Sequence, residues 1–264
     1  MTRELSSGIA LVGLLIASVL ASVALGAVPI PPGEVLQALA GEGDATTRQI
    51  VLTLRLPRGI LAVIVGGGLA MAGATFQALL RNPLAEPYIL GISGGAAVGA
   101  VLVLTLGITT QGSWTLPLAA FAGALLAIVL VFTVARRADR SMDVRVLLLA
   151  GVVVGAFFSA VIALILAVSD ASSVRSAVIW MMGSLAGADW TRVSVVATYT
   201  LPAALLLIGL SRALNLLALG EETASVLGAD VERVKIASFV VASLLTAVGV
   251  GVAGVIGFVG LVVP

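Results

Sequence analysis

The chain has 264 residues, 60% hydrophobic and only 10% charged, far below the roughly 25% charge of a soluble domain. With a mean hydropathy of +1.22, a water-soluble globule is excluded, and a formal charge of +1 is too weak a field to hold nucleic acid. Cysteine and histidine are absent, which removes disulfides, thiol chemistry, the commonest metal ligand and the commonest general base.

Seven apolar stretches are predicted to cross a bilayer, whose core takes about 20 helical residues. They are 8–27, 59–80, 87–106, 115–135, 146–168, 193–210 and 236–255, with a further apolar piece from 256 onward. The first follows Arg3 and ends near Ala24-Leu25-Gly26, so a cleaved signal peptide is the alternative reading. Its apolar run exceeds the usual 7–15 residues of such a signal, which favours an uncleaved span.

After it, Pro31 to Leu39 reads as a short surface helix opened by prolines, with Glu34 in its first turn. Glycine faces at Gly66-Gly67-Gly68 with Gly73, Gly91 with Gly94-Gly95 and Gly99, and Gly249, Gly251, Gly254 and Gly257 predict close helix contacts. Ser176 to Ala188 is predicted as a second short surface helix, too brief to span, with Trp180 suited to an interface.

A cytoplasmic N-terminus puts Arg3, Arg81, Arg136, Arg137, Arg140, Arg145, Arg212, Arg233 and Lys235 inside, and Arg48, Arg55, Arg58, Arg175 and Arg192 outside. That bias follows the positive-inside rule.

Shifting the chain by 181 residues aligns Gly68 with Gly249, Ala72 with Ala253, Gly73 with Gly254, Leu80 with Leu261 and Pro83 with Pro264. Spans two and seven run in opposite directions, the arithmetic of an inverted repeat. The second copy stops at Pro264, and the chain reads as truncated relative to a complete protein.

No acidic residue falls inside a predicted span, which disfavours an ion-coupled secondary transporter, although a site built from backbone carbonyls stays open. An intramembrane enzyme has no acid–base pair to work with. The only lysine, Lys235, follows Val231-Glu232-Arg233-Val234, so no G-x-x-x-x-G-K-[ST] phosphate loop exists and any ATP is hydrolysed on another chain. The connection between spans six and seven offers a docking face for such a partner. Leu214, Leu216, Leu217 and Leu219 precede Gly220, and a short helix from Glu221 ends before Gly228. Glu221, Ala224 and Leu227 follow at three-residue steps and are expected on one side of it.

These residues resemble the FecCD-type permeases of ABC importers for iron-siderophore complexes, haem or cobalamin. The segments that carry the likeness are LRLPRGILAVIVGGGLAMAGATFQALLRNPLAEPYILGISGGAAVGA from Leu54, WMMGSLAGADW, ALGEETASVLG and the terminal GVIGFVGLVVP. The resemblance implies an all-α polytopic membrane helix bundle with an inverted repeat, with about seven to eight of the family's ten spans present. It implies one transmembrane permease domain over 1–264, with a cytoplasmic coupling loop at 211–235. Two permease copies or paralogues would form the pore in the inner membrane, in contact with lipid. ABC ATPase subunits carrying ATP and Mg would bind inside, and a periplasmic or lipid-anchored substrate-binding protein would deliver cargo. The chain itself would be no enzyme and would bind no cofactor or metal. By the same resemblance, Arg55 and Arg58 dock the delivery protein, and Asn82, Leu84, Ser141, Asp143 and Val144 line a cytoplasmic exit constriction. Leu219, Gly220, Glu221, Ala224, Leu227 and Gly228 couple to the ATPase.

Overall fold

The computed structural model describes residues 2–108, 114–139 and 143–264, and every regular element among them is helical. They gather into two compact units, one of Met1–Ile64 with Leu185–Val195, the other of Val65–Ser184 with Val196–Pro264.

In the first unit, α1 (Thr2–Ala24) leads to α2 (Pro32–Leu39), where Pro32 opens the helix and Glu34 lies in its first turn, as its sequence predicts. The next helix, α3 (Ala45–Gln49), is capped by Asp44, whose carboxylate accepts hydrogen bonds from the Thr46 and Thr47 amides at 2.9 and 3.0 Å. The Thr47 amide above all holds the Asp44 carboxyl below its ordinary range. Val23, Ile30, Val35, Ala38 and Val51 form this unit's core.

The sequence predicts a second span over 59–80, just past Pro57. The helix instead begins at Ala45 and runs unbroken to Leu80, 36 residues, as α3, a π-helical turn over Ile50–Arg55, and α4 (Leu56–Leu80). Proline lacks the amide donor, and its ring presses on the preceding turn. The π turn widens the helix there, so that the Leu56 amide reaches back five residues to the Val51 carbonyl. In that pattern the Leu52 carbonyl would need the N–H that Pro57 does not have. The Trp190 indole supplies it, donating from Nε1 to Leu52 O at 2.8 Å.

In the second unit, the predicted third span is a 3₁₀ turn over Pro87–Leu90, a left-handed Gly91 (φ +74°) and α5 (Ile92–Thr105). Fourteen helical residues reach only about 21 Å, short of a bilayer core of about 30 Å. Apolarity continues through residues 87–91 while Pro87 and Gly91 break the helical hydrogen bonding. Next come α6 (Thr115–Ala138), α7 (Val144–Ala167) and α8 (Ala171–Met181). The predicted start of α8 at Ser176 is corrected to Ala171, because Asp170 accepts from the Ser172 and Ser173 amides and starts the helix there. The Ser172 side chain foremost, with Ser173, pushes the Asp170 carboxyl far below its ordinary range.

The long helix α9 (Trp190–Leu219) starts in the first unit, carries Pro202 inside it and ends in the second. It absorbs Leu214 to Leu219, and the connection after it holds the predicted short helix, α10 (Glu221–Val226). The chain closes with α11 (Val231–Ala253) and α12 (Val259–Val262). Among the described residues, six helices are long and apolar enough to cross a membrane. Their outward side chains, such as Leu149, Val153, Leu164 and Leu205, are apolar, which suits lipid rather than water.

Close crossings hold the second unit together. A Cβ on Gly99 would strike the Ala119 carbonyl, and one on Gly95 the Gly123 carbonyl, so α5 and α6 touch backbone to backbone. The rings of Phe76 on α4 and Phe239 on α11 meet edge to face, 5.8 Å apart. Gly68 faces Leu245 while Gly249 faces Val65 and Leu69, so the two helices run antiparallel. That direction agrees with the inverted repeat. Past the matched pair Gly73 and Gly254 the likeness stops: Gly73 lies inside α4, whereas Gly254 (φ +76°) ends α11.

Candidate functional site

The two arginines expected to dock a partner are in different situations. Arg55 is half-buried against the end of α1, where Nη1 donates to Val23 O at 2.7 Å and Ala24 O at 3.0 Å, and Nη2 donates to Val28 O. It closes the carbonyl end of that helix as a cation should. Gly26 makes this possible, since a Cβ there would lie 2.8 Å from the guanidinium. Arg58, one turn on, is exposed, and its single described hydrogen bond, to Ala186 O, is long at 3.3 Å.

In the second unit, the connection from α9 to α11 is a six-residue helix between two glycines with positive φ, Gly220 (+129°) and Gly228 (+84°). The expected shared face of Glu221, Ala224 and Leu227 is corrected. Ala224 is fully buried in the core cluster, whereas Leu227 lies past the last helical turn and is 59% exposed. The exposed apolar residues here are Leu219 at 71%, Val226 at 86% and Leu227. Glu221 turns to the protein and pairs with Lys235 on α11, Nζ lying 2.9 Å from Oε1 and 3.2 Å from Oε2.

The expected exit residues occupy the turns after α4 and before α7. Asn82 Oδ1 accepts from the Leu84 amide at 2.9 Å, an Asx turn that leaves Leu84 exposed. Asp143 caps α7 by accepting from the Arg145 amide at 2.7 Å. Ser141 lies outside the described residues, as does the side chain of Val144. The turn after α4 lies beside the α9–α11 connection: a Cβ on Gly220 would be 3.8 Å from Arg81 Nη1. Arg81 itself has a left-handed backbone (φ +48°).

Sequence reasoning missed the residues that grip the last segment. The Glu86 carboxylate accepts from the Phe258 amide, and the Gln77 side chain donates to the carbonyls of Gly260 and Leu261 at 3.4 and 3.3 Å. These partners are more than 170 positions apart, and no local pattern marks them. Among the described residues no cluster of acidic side chains could hold a metal ion.

Known proteins resemble this chain. The cobalamin import system permease protein BtuC of Halobacterium salinarum is 42% identical over 220 residues, 83% of this chain and 58% of its own length. The hemin transport system permease protein HmuU of Yersinia pestis is 39% identical over 218 residues, 81% of this chain and 65% of its own. The chain thus spans under two thirds of the length of these curated relatives. A solved inward-facing structure described as a metal-chelate type ABC transporter superposes with a TM-score of 0.83 at 29% identity, covering 98% of this chain and 79% of that one. Residues 14–264 match the FecCD transport family throughout, and the chain belongs to that family.

Proposed function

We propose that this chain is the permease subunit of an ATP-driven importer that moves an iron chelate (a siderophore complex or haem) or cobalamin from periplasm to cytoplasm. The observation that carries the reading is the family match over residues 14–264. The missing phosphate loop and the missing intramembrane acids agree with it. The subunit sits in the inner membrane with its N-terminus in the cytoplasm, and it pairs with a second permease copy or paralogue. ATP and Mg belong to the partner ATPase. Residues 211–235 are the coupling segment, touching the ATPase through Leu219, Val226 and Leu227, the large apolar side chains exposed there. Asn82, Leu84 and Asp143, with Ser141 and Val144, belong to the exit side of the pathway. Arg58 meets the substrate-binding protein, whereas Arg55 holds the end of α1.

The test is reconstitution of the complete permease in proteoliposomes with and without its ATPase, using cyanocobalamin, haemin and a ferric hydroxamate as cargo. Uptake of one of these only with ATPase and ATP is expected. Uptake driven by a proton gradient without ATP would overturn the importer reading in favour of a secondary transporter.

A further inference from the structure

Lys235 is the only lysine in the chain, and it lies on α11 with its side chain 10% exposed. A buried ammonium needs a partner. It has one, the carboxylate at the start of α10, held by both oxygens at 2.9 and 3.2 Å. The helix that carries Glu221 has few other ties. Gly220 and Gly228 flank it with positive φ, a backbone geometry that glycine adopts without steric cost. Ala224 is buried beneath it, and the Ala229 amide bonds back to the Ala224 carbonyl at 2.9 Å. A small apolar contact permits sliding, whereas a charge-assisted hydrogen bond from a buried ammonium holds the start of the helix in place.

We propose that Lys235 is a positioning residue for the α10 segment: the Lys235–Glu221 pair fixes the short helix against α11, so that its exposed Val226 and Leu227 are presented in one orientation and a load on them passes to α11. That helix can transmit it, being largely buried and packed on α4 through Phe76–Phe239 and on α6, where Gly251 lies against Pro117 and Phe121. The proposal rests on α10 being the ATPase contact, and the experiment separates the two.

The complete permease carrying E221Q, K235M, K235R, E221K/K235E or L227D is titrated with its ATPase, and amide hydrogen exchange is followed over residues 223–228. E221Q strands a buried ammonium, whereas K235M leaves a carboxylate that is 38% exposed and can take water. E221Q is therefore expected to speed exchange and weaken ATPase binding by about tenfold, more than K235M does. K235R keeps the charge and stays near wild type. The exchanged pair E221K/K235E restores both readouts to within about threefold, a recovery that mere loss of packing would not give. L227D weakens binding and leaves exchange unchanged.

Normal binding by L227D would overturn the docking reading and this proposal with it. Weak binding by L227D beside wild-type exchange and affinity in E221Q would overturn the positioning role alone, as would failure of the exchanged pair to recover.

Discussion

Arg55 and Arg58 are separated by one helical turn, and they do different work. Arg55 donates to the Val23 and Ala24 carbonyls at the end of α1 and to Val28 O beyond it, and charged hydrogen bonds of this kind contribute about 2 kcal/mol. R55A should therefore lower the thermal midpoint of the permease while leaving the affinity of the folded fraction for its binding protein near wild type. Arg58 is exposed and weakly engaged. R58E should leave the midpoint unchanged, weaken binding and flatten its salt dependence, because exposed charges act mainly by steering. Titrations at several salt concentrations beside thermal melts check both. Equal loss of binding in R55A and R58E without a change in melting would contradict the division. The sequence shows both arginines at the head of a span, but Arg55's partners lie 27 to 32 residues earlier, and no local spacing reports them. Ala224 is a similar case: the three-residue steps assume a helix through Leu227, and the helix ends one residue before it.

Hydropathy locates the membrane helices because burial in lipid depends on apolar length. It does not report backbone geometry, which is why the break at Pro87–Gly91 and the unbroken passage through Pro57 escape it. Glycine faces are legible as packing surfaces, yet the sequence does not tell which glycine is in contact. At Gly99 a Cβ has no room beside the Ala119 carbonyl, whereas at Gly67 nothing lies within 4 Å. G99A should force α5 from α6 and cost about 1–3 kcal/mol. G67A, in a helix interior, should be neutral within this chain or gain up to about 1 kcal/mol from helix propensity. Melting of the purified permease distinguishes them; equal melting temperatures would mean that α5 and α6 part without cost. A loss of uptake in G67A without a loss of stability would instead mark that open position as one where the assembled transporter needs a bare backbone.

Family membership and the helical class are legible from motifs that lie within single segments, such as Leu54 to Ala100. The antiparallel crossing of α4 and α11 is legible only as a repeat, since Phe76 and Phe239 have no shared pattern in sequence. Burial separates the residues that hold the molecule together from those proposed to meet a partner. Phe239 is 1% exposed and sits edge to face on Phe76, so F239A removes a buried ring and should cost about 3–5 kcal/mol. Val226 is 86% exposed on α10, so V226D leaves the core intact while placing a charge on the proposed ATPase contact. F239A should therefore melt at a lower temperature and lose ATPase only in proportion to the protein that unfolds. V226D should melt with the wild type and still fail to retain the ATPase through purification. The two are compared by melting and by the ATPase recovered with each folded permease. Full recovery with V226D would move the contact away from α10, while selective loss of ATPase from folded F239A would mean that the buried crossing also shapes the ATPase contact.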